Sequence, residues 1–436
     1  MNEYEQPGED LSAGEISVPV LPEKPRFSAT IPEIVGALVC YVLGRLWFEP
    51  FFGVRVDPAW LLVFVAGFVA LTEWLHRETP RPKESWIWLG CVAVLTAAVV
   101  LDRCRAWGGS SWPGFFLHVF AIWWVLSRSG RLAEGKSGHL LPYDALNGFI
   151  VFPFKHFFLR IRCLWYGLTR IGRGEKRLGA SKLLWSIGAI LAAVLLLIRA
   201  AVLLQRADDA FGTFLTRIAD GLASLLDEDE RLYLLFSLPV GAYIFGLIAG
   251  SARENGELIR ARGRRLSYWL STLRKVPAPV FAAVLGVFVL FYLGFFVLQA
   301  RYLFGAFTRT LPEGFVVAEY ARQGFFELCR VMALNFALLW LAARLPAQAL
   351  RERTLLRVPA AVLLVESLLF AVIAASKLGL YIDCFGFTPL RLQSFWLVCV
   401  LAAGCACALY SLCTGKKSFR AWMVFGAVTL CLLCLY

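Results

Sequence analysis

The chain has 436 residues, of which 59% are hydrophobic and 17% are charged, and its formal net charge is +13. A soluble globular domain has roughly 45–50% apolar and about 25% charged residues, so this composition argues against a soluble protein. Because the basic residues lie in loops between apolar runs, we attribute the positive charge to membrane topology and expect no nucleic-acid partner.

Apolar runs of about 17–25 residues, the length that crosses a bilayer core, recur along the sequence, and we count about eleven of them. Only helices and closed barrels satisfy the backbone in lipid, and the runs are continuous rather than alternating. We therefore predict an all-α polytopic membrane protein. The predicted spans are 31–48, 60–75, 85–101, 112–126, 181–204, 232–249, 277–299, 324–344, 358–380, 394–412 and 421–435.

Residues 1–30 precede the first span and carry carboxylates where a cleavable signal peptide has a basic region. We expect a disordered cytoplasmic tail there. The densest Lys and Arg clusters follow alternate spans, so placing the N-terminus inside puts all three on the cytoplasmic side, as the positive-inside rule requires. These clusters lie within 253–275, 344–357 and 416–420.

The longest break between spans is residues 127–180. It divides a predicted four-span front bundle (31–126) from a seven-span rear bundle (181–436). Within the break, apolar residues recur at three- and four-residue steps from Phe154 to Ile171, which predicts a basic amphipathic helix. We expect this helix to lie against anionic lipid on the cytoplasmic side, and packing of its apolar face on the protein's own spans is a compatible alternative. The expected lipid-interface residues are Lys155, Arg160, Arg162 and Trp165.

Charged residues also gather in the outer halves and at the outer ends of the rear spans. The cluster consists of Arg301, Glu319, Arg322, Glu327, Arg330, Lys377, Asp383 and Arg391. One interpretation is a buried ion-pair network that fixes helix register. Because the cations outnumber the carboxylates, the other is a site for an anion such as a phospholipid or a lipid-linked headgroup.

Glu366 lies deeper in the predicted ninth span, and no residue near it in the sequence neutralises its charge. Charges in hydrocarbon need partners or water. Glu366 therefore either joins a structural hydrogen bond, for example with Asn335, or serves as a coupling carboxylate for a proton or a cation.

Catalytic signatures such as HExxH, GxSxG and a glycine-rich phosphate loop with a lysine are missing, and the chain has only 4 histidines. We expect no metal site and no cofactor, and the balance leans away from an enzyme. A membrane enzyme that uses Glu319 and Glu327 on a lipid-linked substrate is an alternative.

Two motifs of the rear part are distinctive. The first is LPEG at 311–314 followed by EYARQGFFEL at 319–328, and the second is KLGLYI at 377–382 with GFTPLR at 386–391. Together they resemble bacterial multi-pass membrane proteins with a domain of unknown function of the 4153/4173 type, although Phe387 stands where that family commonly has Leu. The resemblance covers roughly 232–412, and the front four spans lack a recognisable motif. It implies an α-helical bacterial inner-membrane protein with no established activity.

The sequence therefore favours a non-enzymatic protein of the bacterial cell envelope. Its leading function is to bind a lipid or a partner membrane protein at the charged outer-leaflet site. A secondary transporter that uses Glu366 and a membrane enzyme acting on a lipid-linked substrate are the alternatives.

Overall fold

The structure is a computed structural model that describes residues 27–52, 58–104, 107, 112–171, 228–298 and 317–436. Side chains are described throughout these ranges except at 48–52, 170–171, 228–231 and 317–324. Residues 1–26 of the predicted tail, the predicted fifth span (181–204) and Arg301 lie outside the described residues.

The described residues form helices joined by short connections, apart from one isolated bridge between Val276 and Pro346. The helices are α1 (Ile31–Phe52), α2 (Pro58–Leu75), α3 (Ser85–Val100), α4 (Trp112–Arg128), α5 (Leu141–Leu146), α6 (Phe152–Lys155), α7 (Leu159–Ile171), α8 (Glu228–Arg253), α9 (Gly256–Thr272), α10 (Ala278–Leu298), α11 (Val317–Arg344), α12 (Thr354–Phe385), α13 (Pro389–Thr414) and α14 (Phe419–Leu435). A single π-helical turn (Asn147–Val151) joins α5 to α6.

The all-α class is confirmed. In the described ranges, 6 helices are long and apolar enough to cross a membrane, namely Pro58–Leu75, Leu232–Arg253, Ala278–Leu298, Phe325–Arg344, Thr354–Phe385 and Pro389–Thr414. Two shorter apolar helices are Ser85–Val100 and Phe419–Leu435. Each predicted span other than the fifth falls on one of these helices or on α1 or α4. These six helices indicate a multi-pass membrane protein, while the full count of about eleven spans stays a prediction.

Local sequence signals explain several helix ends. Before α1, Thr30 and Glu33 form a capping arrangement in which the Thr30 backbone N–H donates to Glu33 Oε2 at 2.8 Å. At the start of α9, the Asn255 side chain accepts hydrogen bonds from the backbone N–H groups of Glu257 and Leu258. Gly415 ends α13 in the left-handed region, which glycine adopts without steric cost.

Two hydrophobic cores organise the helices. The first joins α1–α4, α6, α7 and α8 with the last helix, α14. The second joins α10–α13. The division into front and rear bundles at residue 181 stays a prediction about the chain, and the cores group the helices differently, because α8 packs on α1 and α14 packs on α3.

Ion pairs and hydrogen bonds join several helix ends to one another at one end of the molecule, here called the basic end. Arg128 at the end of α4 donates to Glu73 Oε2 at 2.8 Å and to the His76 carbonyl at 2.9 Å. Arg253 at the end of α8 pairs with Glu33 near the start of α1. The start of α1 therefore lies at the same end as the ends of α2, α4 and α8, so α1 runs in the opposite direction to these three helices.

A second set of contacts extends the basic end across both cores. Arg420 at the start of α14 lies 3.1 Å from Glu84, which precedes α3. The backbone N–H of Val276, just before α10, donates to the carbonyl of Leu345, just after α11. The ends of α10 and α11 therefore lie together beside the basic loops.

The tightest helix crossing is between α1 and α8, which share the most extensive contact among the described helices. A Cβ added at Gly44 would lie 2.6 Å from the Ser237 carbonyl oxygen and 2.8 Å from the Gly241 nitrogen. Small residues let helix backbones approach closely in membranes, where packing rather than burial from water drives association.

We predict that Gly44→Ala lowers the stability of the purified protein by about 1–3 kcal/mol, because the added methyl group forces α1 away from α8. Thermal unfolding in detergent, followed by size-exclusion chromatography, measures the effect. Gly286→Ala in α10 is the matched control, since a Cβ there meets nothing within 4 Å. Equal stability of the two variants would contradict the assigned crossing.

Candidate functional site

The break between α4 and α8 contains the predicted amphipathic helix, which the structure divides into α6 and α7. One face of α7 packs on the bundle through Leu159, Cys163 and Gly167, all buried. A Cβ added at Gly167 would lie 2.8 Å from Ile34 Cγ2, so α7 touches the first turn of α1. Contact between this helix and the protein's own spans, the compatible alternative, is therefore present in the structure.

Arg160 lies on this packed face, and its side chain is only 7% exposed. Its guanidinium donates to the Ala37 carbonyl at 2.8 Å and to the Leu238 carbonyl at 3.3 Å. It therefore ties α7 to α1 and α8, and the structure does not place it at the lipid interface that we expected from the sequence. The spacing of apolar residues does not distinguish these two positions, because a cation at the edge of an apolar helix face has the same place in the sequence whether it contacts backbone carbonyls or lipid.

The opposite face of α6 and α7 is exposed and apolar. Phe154, Phe158, Ile161 and Leu168 are each more than half exposed and recur at three-, four- and seven-residue steps, so they form one stripe. These four side chains, here called the apolar stripe, form an exposed apolar surface of a kind that water-soluble proteins rarely have.

The predicted interface residues Lys155, Arg162 and Trp165 flank the stripe. Lys155 pairs with Glu254 just beyond the end of α8, and Arg162 is exposed. Burial alone would raise the pKa of the Glu254 carboxyl, but its hydrogen bonds to Lys155 and His156 hold that pKa below its usual value. Lys155 is therefore partly engaged within the protein, whereas Arg162 remains open to solvent.

Arg162 and Trp165 line a groove of about 390 Å³ beside α7. Phe27, Ile161, Tyr166 and Thr169 complete its walls. The Arg162 guanidinium lies 4.4 Å from the ring centroid of Phe27, which orients it as a cation–π pair. The groove combines one cation, aromatic rings and a hydroxyl next to the apolar stripe.

Helix α9 is a second amphipathic helix at the basic end, and it is not among the helices predicted from the sequence. Gly256, Ile259 and Gly263 are buried, while Tyr268 and Trp269 are exposed. Its basic residues and those just after it are Arg260, Arg262, Arg264, Arg265, Arg274 and Lys275. We had interpreted this cluster only as a topology signal, although Asn255 as a capping residue and the period of the buried residues indicate a helix.

Asp144 in α5 is a buried carboxylate at the same end, 1% exposed. Its Oδ1 accepts a hydrogen bond from the Ala133 N–H at 2.8 Å, and its Oδ2 has no hydrogen-bond partner among the described residues. Burial, reinforced by the charges of Glu134 and Glu84, raises the pKa of Asp144 to about 7. The folded protein therefore holds a proton here that the unfolded chain releases at lower pH.

The outer charged cluster is only partly described. Arg301 and the side chains of Glu319 and Arg322 lie outside the described residues. Glu327, Arg330 and Asp383 are exposed, whereas Lys377 is 0% exposed. Glu327 acts electrostatically on Lys377, which agrees with a pairing of α11 and α12 at this level.

Arg391 belongs to a folded corner between α12 and α13. Its Nη1 donates to the Gly386 carbonyl, and its guanidinium lies 4.2 Å from the ring centroid of Tyr381. Gly386 has a φ of +77°, a left-handed conformation that favours glycine. The second sequence motif thus contains the residues that turn the chain from one span into the next.

Glu366 lies at mid-length in α12, close to a hydrogen-bonded group at the centre of the second core. The Tyr292 hydroxyl donates to Asn335 Oδ1 at 2.8 Å, and Asn335 Nδ2 donates to Ser367 Oγ at 2.9 Å. Asn335 therefore bonds Tyr292 and Ser367 rather than Glu366. In the part of the chain that the structure describes, no three His, Cys, Asp or Glu side chains lie together as a metal site.

The burial of Lys377 predicts an asymmetric mutational cycle. Glu327→Gln removes a carboxylate that acts electrostatically on the buried Lys377 ammonium and should lower stability by roughly 1 kcal/mol, a modest value because solvent screens the exposed Glu327. Lys377→Met replaces the ammonium by an apolar group of similar length and should cost less. The double variant should match Lys377→Met.

Thermal unfolding of all four proteins in nanodiscs checks this cycle. Additive losses in the double variant would show that the two side chains do not interact.

We also predict a pH effect from Asp144. The raised pKa of Asp144 contributes folding stability that is fully present below about pH 4 and is lost as the pH rises through about 7. Each unit of difference between the folded and unfolded pKa corresponds to about 1.4 kcal/mol of stability. Thermal unfolding of the wild type, compared with Asp144→Asn at pH 5.5 and 8.5, tests it. The variant should lose less stability than the wild type over this interval, and parallel losses would refute the assignment.

Comparison with known proteins agrees with the motifs. The family model described as "Domain of unknown function (DUF4153)" matches residues 87–436. The match is wider than the 232–412 of the sequence resemblance and takes in α3 and α4, where we recognised no motif. No curated protein and no solved structure matches the chain. Since the family model covers most of the sequence, the chain belongs to the DUF4153 family of proteins with a domain of unknown function.

Proposed function

We propose that this protein is a non-enzymatic protein of the bacterial inner membrane, with its N-terminus inside, that binds anionic phospholipid headgroups at its basic end. The observation that carries the proposal is α7, which packs one face on the bundle and exposes an apolar stripe next to the groove of Arg162 and Trp165. The family match and the apolar helices support a membrane protein but name no ligand.

The stripe of Phe154, Phe158, Ile161 and Leu168 supports contact with acyl chains. Helix α7 contacts α1 at Ile34 and Ala37, within two turns of the start of α1 at Ile31. On α8, Arg160 reaches the Leu238 carbonyl, which lies further from the helix end at Arg253. A helix at that depth with an outward apolar face meets the boundary between headgroups and acyl chains.

The groove supports a negatively charged headgroup. The Arg162 guanidinium offers several N–H donors in a planar fork that matches phosphate oxygens, and aromatic side chains such as Trp165 are favoured at headgroup level. Thr169 lies at the same wall, where its hydroxyl donates to the Tyr166 carbonyl, so Arg162 is the donor that faces a headgroup. A phospholipid in this groove would place its chains along the stripe, so one occupant satisfies both surfaces.

Helix α9 supports the same orientation. It connects the ends of α8 and α10 at the basic end, and it exposes Tyr268 and Trp269 among its arginines. The cytoplasmic leaflet carries a negative surface potential that attracts such segments by about 1 kcal/mol per Lys or Arg. The basic end is therefore proposed to face the cytoplasm, with about eleven spans in total.

Lipid or partner-protein binding at the outer charged cluster also stays a proposal. Exposed Arg330 supports it as an open cation, whereas the burial of Lys377 and the corner contacts of Arg391 give those two residues structural roles. The enzyme alternative depends on Glu319, whose side chain lies outside the described residues, so no observation favours it.

A secondary transporter is the second candidate function, and Glu366 is the observation that favours it. The side chain is 4% exposed at mid-length of a membrane-crossing helix. Buried ionisable groups at that depth mark ion or proton pathways more often than they mark lipid contacts.

We predict that Arg162→Gln weakens retention of anionic lipid roughly tenfold, because a charge-assisted hydrogen bond of about 1.5–3 kcal/mol is lost. Native mass spectrometry of protein from nanodiscs of phosphatidylglycerol and phosphatidylcholine measures the lipid retained. The wild type should keep phosphatidylglycerol in preference to phosphatidylcholine.

Arg357→Gln is the matched control, since Arg357 is an exposed arginine at the basic end outside the groove. It should retain lipid as the wild type does. Equal retention by the Arg162 and Arg357 variants would overturn the groove as the binding site, and equal retention of the two lipids by the wild type would overturn the preference for anionic lipid.

A further inference from the structure

The second core contains a polar group contributed by three helices. Tyr292 comes from α10, Asn335 from α11, and Glu366 and Ser367 from α12. The hydrogen bonds run from the Tyr292 hydroxyl to Asn335, from Asn335 to Ser367, and from the Ser367 hydroxyl to the Leu363 carbonyl at 2.8 Å. The hydrogen bonds that these three side chains donate thus go to neighbours other than Glu366.

Glu366 stands next to this chain of hydrogen bonds without joining it. Neither Oε1 nor Oε2 has a hydrogen-bond partner among the described residues. The buried side chains one turn before and after it, Leu363 and Phe370, are apolar. An ionised carboxylate in such surroundings costs far more free energy than a neutral carboxylic acid.

The charged and titratable groups of the packed helices do not compensate a carboxylate here. On α10, Tyr292 interacts electrostatically with Glu366 but carries no positive charge. On α12, Lys377 is eleven residues further along, about 16 Å away along the helix axis. On α11 the residue at this level is the amide Asn335. Along that helix axis, the exposed Arg330 lies about 7.5 Å from it and Glu327 about 12 Å. From α13, the residues buried in this core include Val398 and Cys405.

We infer that Glu366 is a proton-binding site, occupied as the neutral carboxylic acid in the folded protein. A bound metal cation is the competing occupant. Ca²⁺ takes about 6–8 oxygen ligands and Mg²⁺ an octahedral set of about six. The described polar side chains of this group are Tyr292, Asn335 and Ser367, and their hydrogen bonds go to one another and to the Leu363 carbonyl rather than to Glu366, so they do not supply such a set. A proton requires neither a set of oxygen ligands nor the volume that a metal cation occupies.

The inference deepens the transport candidate by naming the coupled species as a proton, and it rests on that candidate only for its functional meaning. In a transporter, Glu366 would take up the proton from one side and release it to the other when water reaches the core. In a protein without transport activity, the same neutral acid is a fixed element of the second core.

The test is the infrared difference spectrum between the wild type and Glu366→Gln at pH 7 in nanodiscs. We expect the wild type to show the carbonyl stretch of a protonated carboxylic acid that the variant lacks. Loss of a carboxylate stretch instead would overturn the inference. Glu327→Gln is the control, because Glu327 is exposed and should contribute a carboxylate signal.

A second variant guards against a failure to fold. Glu366→Met removes the carboxyl group with an apolar chain of similar length, and its difference spectrum should lose the same carbonyl band. Addition of Na⁺, K⁺, Mg²⁺ or Ca²⁺ should leave the wild-type band unchanged, and its replacement by a carboxylate band would assign the site to that cation.

Proton uptake into proteoliposomes under a pH gradient tests transport separately. A protonated Glu366 without uptake would leave the proton site standing and remove the transporter. Proton uptake with an ionised Glu366 would support a transporter and overturn Glu366 as the proton-binding site.

Discussion

The free-energy cost of placing charge in hydrocarbon governs the polar contacts of this protein. Arg128, Arg253 and Arg420 each pair with a carboxylate at the basic end, where helices of the first core begin or end. These pairs join the connections between the long helices and keep charge at the helix ends rather than in the apolar helix interiors. The long helices are mainly apolar, and the ion pairs join the helix ends that meet at the basic end.

The same constraint explains why the two cores differ. In the first core, small residues such as Gly44 and Gly241 let α1 and α8 approach until their backbones touch. The second core instead joins its helices through Tyr292, Asn335 and Ser367, whose side chains satisfy one another. Helices in lipid gain little from burying apolar surface, so close packing and satisfied polar groups supply the specificity.

Two features depart from this layout, and each is therefore a candidate for function. Helix α7 exposes an apolar stripe next to Arg162 at the edge of the bundle, which suits a lipid with an anionic headgroup. Glu366 has a buried carboxyl group that the neighbouring polar chain leaves out. The first concerns the surface that meets the membrane and the second the interior of a span. Lipid binding at α7 and proton binding at Glu366 are independent properties, so evidence for one does not decide the other.

The sequence by itself determined the all-α fold class, the six helices long enough to cross a membrane and the family, because hydrophobic runs of bilayer length and local motifs do not depend on distant contacts. It also predicted the amphipathic segment from Phe154 to Ile171. Tertiary structure decided which face of that segment is covered: Arg160 lies against the Ala37 carbonyl, while Arg162, two residues on, is exposed. It likewise grouped α8 and α14 with the first core and left Glu366 beside Asn335 without a bond. Periodicity gives the angle of a side chain around its own helix, whereas the neighbour at that angle depends on helices far away in the sequence.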